Sequence, residues 1–175
     1  MKQITTTLAL MLLTTFTLTT LKSQAMERKK VEKISVIKYS LETKMSTMLT
    51  DVGTNASDIA VKAKELGLEI TGPQIWQYAG SDGKDDTPFT LDICLPIKEA
   101  KGNPGKFSFD VLPEYNCVSE IHKGPWNKLS NTYEKMMGEM TRKSIVPKWT
   151  CREVYITCDF ENQENCITEV QMETY

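Results

Sequence analysis

The sequence predicts an α+β fold: two fused strand–helix–strand–strand modules whose antiparallel strands carry helices on one face, with a groove where the halves meet. Three observations predict it. Apolar and polar residues alternate along several short segments, the mark of half-buried strands. Two other segments place apolar residues every three or four positions, the mark of amphipathic helices. Both kinds recur in the same order on either side of Lys101-Gly102-Asn103-Pro104-Gly105, a linker made of chain breakers.

A charged lead, Glu27 to Lys33, brings the chain to a first strand at Ile34 to Leu41. A helix follows from about Asn55 to Leu66, with Ile59, Lys62, Ala63 and Leu66 at helical spacing, Asn55 or Ser57 as cap and Gly67 as stop. Gly72-Pro73 leads into a strand at Gln74 to Tyr78, and Gly80-Ser81-Asp82-Gly83 turns the chain back. Phe89, Leu91, Ile93, Leu95 and Ile97 then alternate without a miss, so Thr90, Asp92 and Cys94 face the other way. This first copy spans about residues 31–99 and the second about 106–175. In the second, Phe107 to Val111 and Tyr115 to Ile121 form an extended segment interrupted near Pro113. Gly124-Pro125 opens a helix of about eighteen residues with Trp126, Leu129, Tyr133, Met136, Met137 and Met140 as its apolar stripe. Trp149 to Cys158 is a strand, Asp159 to Asn165 a turn, and Cys166 to Thr174 the closing strand.

The chain has 175 residues, enough for one domain with a real core. Its 21 basic and 23 acidic side chains leave a formal charge of −2, with no footprint for a phosphate backbone, so nucleic acid is not an expected partner. Lys2 precedes an apolar run from Ile4 to Leu21, eight of whose eighteen residues are Thr, and Ser23 and Ala25 follow as small residues. Residues 1–25 therefore read as a secretory signal peptide cleaved after Ala25, and the mature protein as periplasmic or secreted; the other reading is an N-terminal membrane anchor. Cleavage removes Lys2 and Lys22 and no acid, leaving 19 basic against 23 acidic groups, net −4.

The cysteines are Cys94, Cys117, Cys151, Cys158 and Cys166. The lack of a Cys-x-x-Cys pair and the single histidine, His122, argue against a zinc site, and no metal or cofactor is expected. Cys158 and Cys166 flank a polar turn and either bridge a hairpin or, like the others, act as small buried hydrophobes. Asn55-Ala56-Ser57 matches a glycosylation triplet but reads better as the start of the helix. His122 reads as a turn or solvated residue, and nothing orients it with Cys117 as a dyad.

His122-Lys123-Gly124-Pro125-Trp126, about 25 residues ahead of Arg152-Glu153-Val154-Tyr155-Ile156, resembles the gyrase-inhibitor-like (GyrI-like) domain. The same domain is the effector-binding half of many AraC-type and MerR-type regulators. Gly72-Pro73, Leu91-Asp92-Ile93-Cys94-Leu95-Pro96 and Leu112-Pro113-x-Tyr115 match as well, so the resemblance covers about Val31 to Tyr175. It implies broad binding of small, often cationic and aromatic molecules in the groove between the modules. The expected departure from the regulators is that no helix-turn-helix segment precedes the domain.

Glu153 is the first candidate for that groove. It alternates with Cys151 and Tyr155 onto one face, while Val154 and Ile156 face the other and read by their chemistry as the core-facing pair. A carboxylate among aromatics invites a cation through charge and cation–π attraction. In the resembling family the glutamate of this Arg-Glu-x-Tyr element meets the ligand, and Glu153 holds that place; otherwise it pairs with Arg152, a lysine or water. Aligning Tyr78 with Tyr155 puts Trp76 at the place of Glu153, so Trp76 and Tyr78 line the groove or serve as sheet-core aromatics. Tyr39 is a further candidate, and Trp126 either closes the groove or packs beneath the helix. Two functions follow: an exported binding protein for small amphipathic, cationic or aromatic molecules, or a hydrolase opening strained electrophilic rings with Glu153 as general base.

Overall fold

The computed structural model describes residues 26–175, so the expected leader lies outside the described residues. Its strands are β1 (Glu27–Val31), β2 (Ile34–Thr43), β3 (Ile75–Ala79), β4 (Phe89–Pro96), β5 (Ser108–Leu112), β6 (Tyr115–Lys123), β7 (Pro147–Thr157) and β8 (Ile167–Thr174). The helices are α1 (Met48–Val52), α2 (Asn55–Glu65) and α3 (Leu129–Arg142), the last entered through a 3-10 turn at Trp126–Lys128. All eight strands form one antiparallel sheet in the order β1-β6-β8-β7-β3-β4-β2-β5. The fold is the α+β arrangement expected.

That order reads the same outward from the central β3·β7 pair on either side: β4, β2, β5 one way and β8, β6, β1 the other. Each half lends its leading strand to its partner, because β1 pairs with β6 and β5 with β2. The lead Glu27 to Lys33 is thus a strand over most of its length. Its charges hide this in the sequence, since its partner, β6, lies far along the chain and the pairing is invisible locally.

The helices lie against one face of the sheet. On α2, Ile59 and Ala63 pack with Ile37 and Leu95, all but Leu95 fully buried. On α3, Met136 and Met140 pack with Val118, Val170 and Met172, each buried methionine contributing about 2 kcal/mol. Met137 stands outside that stripe and is 41% exposed. The start of α2 also differs from expectation: Thr54 is the cap and makes no side-chain capping bond. Asn55 Nδ2 instead donates to the Val52 carbonyl at 2.9 Å, and Ser57 Oγ to the Thr54 carbonyl at 2.8 Å, which ties α2 to the short α1. All five cysteines are free thiols; Cys158 is exposed and Cys166 buried.

Val154 and Ile156 do not face the main core. The helices cover the face of Glu153, Val154 is half-buried against a small cluster of Val36, Ile75, Cys94 and Leu112, and Ile156 is 48% exposed. Alternation told the two faces of β7 apart, and helix placement decided which is inside. Much of the uncovered face is charged, with Lys29 on Glu169, Lys38 on Asp110 and Lys148 on Glu173.

Candidate ligand site around Glu153

Strand β7 turns Cys151, Glu153 and Tyr155 toward the helices. Across the central pairing Trp76 stands directly opposite Glu153, and Tyr78 opposite Cys151. From that diagonal position the Tyr78 hydroxyl donates to Glu153 Oε2 at 2.9 Å. Tyr155 donates to the same oxygen at 2.6 Å, and Tyr133, reaching down from α3, donates to Oε1 at 3.0 Å. The carboxylate is 6% exposed, and among the described residues no Lys, Arg or His lies within ion-pair distance of it. Arg152, the nearest cation in sequence, points to the opposite face.

Burial pushes the hydroxyls of Tyr78, Tyr133 and Tyr155 well above the usual tyrosine range, and the Glu153 charge adds to the shift. They keep their protons and act as donors. Burial, with the same carboxylate behind it, raises the Cys151 thiol to about 12, which makes it an inert apolar neighbour.

Aromatic rings close the outer side. Trp76 meets Tyr155 edge to face at 5.6 Å between centroids, and Trp126 meets Tyr155 at 6.0 Å. Phe160, on the β7–β8 connection and 79% exposed, packs on Trp126 at 5.4 Å. Gly124, at a φ of +112° that favours glycine, turns the chain from β6 into the 3-10 turn and so places Trp126. Gln74 accepts from Trp76 Nε1 at 2.9 Å and donates to the Ala56 carbonyl at 2.8 Å, fixing the indole against α2. The rings of Trp76, Tyr155 and Trp126, partly buried, flank the carboxylate where the groove is expected.

Of the candidates, Glu153, Tyr155, Tyr78, Trp76 and Trp126 come together, and Trp126 both packs under α3 and covers Tyr155. Tyr39 does not join them. It lies on β2, three strands from β7, about 14 Å away at ordinary strand spacing, and packs against Phe107. Tyr133 and Phe160 were missed: the first sat in the helix stripe, where its hydroxyl was the overlooked signal, and the second in a turn without periodicity. His122 is neither in a turn nor solvated. It is 7% exposed on β6, with Nδ1 2.9 Å from Thr132 Oγ1 and Nε2 3.1 Å from the Pro125 carbonyl, where it anchors the start of α3. Among the described residues, no group of three His, Cys, Asp or Glu side chains is placed to hold a metal ion.

The model of the GyrI-like small molecule binding domain matches residues 25–173. The chain belongs to that family. No curated protein matches this GyrI-like chain. Among solved structures it is similar to the EcmrR C-terminal domain, with a TM-score of 0.72 at 18% identity over 87% of this chain and 98% of that one. It spans 57% of the EcmrR chain seen in a complex with DNA. It is also similar to SAV2435 bound to tetraphenylphosphonium, with a TM-score of 0.61 at 11% identity over 86% and 94% of the two chains. A hydrolase from Listeria innocua is similar at a TM-score of 0.54 and 12% identity, over 85% and 92%. At such identities the likeness speaks for the shared fold.

Proposed function

We propose that this GyrI-like domain captures a small lipophilic cation, aromatic in part, at Glu153. One observation carries the reading: a carboxylate only 6% exposed is held by three tyrosyl hydroxyls and faces no cation within ion-pair distance among the described residues. Burying a charge without its opposite costs several kcal/mol. The tyrosines offset part of that, and a cationic ligand would offset more. Trp76, Tyr155 and Trp126 offer ring faces worth about 1–2 kcal/mol of cation–π attraction once water is excluded. The tetraphenylphosphonium complex of SAV2435 supports the ligand class.

Hydrolysis is the weaker reading. Three of the roughly four acceptor positions of the carboxylate already hold O–H donors, which leaves it poorly placed to take a proton from water. Residues 1–25, read as a secretory leader, would place capture outside the cytoplasm. N-terminal sequencing of the protein recovered from cells should then begin at Met26, and a start at Met1 contradicts export by cleavage.

Calorimetric titration with tetraphenylphosphonium tests the main claim. Wild type should bind it and Glu153→Gln should bind about thirtyfold more weakly or worse. Equal binding by both would sink the proposal, and a ring-opened product from an aromatic epoxide would move the reading to hydrolysis.

A further inference from the structure

The sheet face opposite Glu153 carries a cavity of about 480 Å³, within the size range of small-molecule sites. Ile75, Val154 and Gln171, on the adjacent strands β3, β7 and β8, border it, as do Thr71, Lys33 and Lys98 from the connecting segments. None of its lining residues is an Asp or Glu. The acids of this face are matched by lysines: Glu169, which stands opposite Val154 and so beside the cavity, pairs with Lys29, and Glu173 pairs with Lys148. In the lining itself the balance is different. Lys98 is exposed and reaches only the equally exposed Glu69 at 2.9 Å, and Lys33 makes no ion pair among the described residues.

Buried polar atoms next to the cavity lack partners. Gln171 is 3% exposed; its Nε2 donates to Glu169 at 3.1 Å, but its Oε1 accepts from nothing. In register beside it is Arg152, 1% exposed, whose guanidinium stacks on the Tyr115 ring at 4.0 Å. Arg152 Nε donates to Gln77 at 2.9 Å, and Nη2 lies 3.5 Å from the Pro113 carbonyl. Nη1 has no partner, and no carboxylate lies within ion-pair distance among the described residues. An unsatisfied amide oxygen on a cavity lined by two lysines and no acid, with the one neighbouring acid, Glu169, already paired to Lys29 and the Arg152 guanidinium next in register, is complementary to an anion that also carries an N–H or O–H donor.

We propose that this cavity is a second binding site, independent of Glu153, for a small amphipathic carboxylate bearing a hydrogen-bond donor, with N-acylamino acids as the simplest such class. Lys33 and Lys98 attract the carboxylate, and the positive charge of Arg152 beside the floor adds to their field. Ile75 and Val154 take the apolar body, while Gln171 Oε1 accepts the ligand N–H. The two sites discriminate by charge: one offers a carboxylate to cations, the other two lysines to acids.

Titration of the full protein with N-acetylleucine, followed by calorimetry and amide NMR, tests this. Saturable binding is expected, weakened about tenfold or more by Lys33→Glu and again by Lys98→Glu. Both lysines are exposed, and a circular dichroism spectrum confirms that each variant folds. N-acetylleucine amide, lacking the charge, should not bind, and octanoate, lacking the donor, should bind about tenfold more weakly. Glu153→Gln should leave N-acetylleucine binding unchanged, as Lys33→Glu should leave tetraphenylphosphonium binding unchanged. Failure of N-acetylleucine to bind, or binding undiminished in the Lys33→Glu/Lys98→Glu double variant, overturns the proposal. Displacement by equimolar inorganic phosphate overturns the assignment to carboxylates.

Discussion

Glu153 and Arg152 are neighbours on β7, face opposite sides of the sheet, and are both nearly inaccessible to water at 6% and 1% exposure. Neither has an ion-pair partner among the described residues, yet they are held in different ways. Glu153 is surrounded by hydroxyl donors and rings, one of them the indole beneath the exposed Phe160. Arg152 is clamped by a stacked ring, an amide and a main-chain carbonyl, and it reaches a carboxylate only through Gln77, which donates to Asp92 at 3.4 Å. In the readings proposed above, Glu153 is the charge that a ligand meets directly, whereas Arg152 is fixed in the sheet and acts on its cavity only through its field.

The sharpest way to break the contrast is Arg152→Ala. It leaves a void under Tyr115 and strands Gln77, so a loss of about 3 kcal/mol in urea denaturation is expected, with most of it recovered in Arg152→Met. Glu153→Gln should leave the unliganded protein within about 1 kcal/mol of wild type. Comparable losses from Arg152→Ala and Glu153→Gln would erase the distinction between scaffold and site.

Tyr155→Phe removes the 2.6 Å bond to the carboxylate. It should cost about 1.5 kcal/mol, as expected for a hydrogen bond to a charged group. Introduced into Glu153→Gln it should cost clearly less, and an unchanged cost in that double-mutant cycle would show that the hydroxyl serves packing instead.

The smallest effect at neutral pH is protonic. Tyr78, Tyr133 and Tyr155 have folded-state pKa values raised above the unfolded value near 10. Below that value both states hold these protons and stability is intact. Above it the unfolded chain releases them while the folded one does not, so stability should fall as pH rises. Phenolate absorbance during alkaline titration should appear for these side chains only together with unfolding. Their smooth ionisation in the folded protein would mean that the site is open to water.

Much of the arrangement around Glu153 was legible in the sequence. Alternation put Glu153 and Tyr155 on one face, and the internal repeat put Trp76 across from them, where the β3·β7 pairing has it. Tyr133 escaped because helical spacing reports that a residue faces inward without reporting what it meets there. Phe160 escaped because a turn has no period, and the distance of Tyr39 from β7 is set by a strand order that aromatic character on a strand does not report. The strand β1 went unread, its charged residues pairing with β6 far along the chain.

By itself, then, the sequence determined the period of each segment and the residue types that share a strand face, because these follow from local backbone geometry. Tertiary structure alone decided that the Glu153 face is the covered one, that β1 and β5 cross between the halves, and that three tyrosines from three elements converge on one carboxylate. Those outcomes depend on contacts between residues far apart in the chain, which loop closure and packing select together and no local pattern encodes.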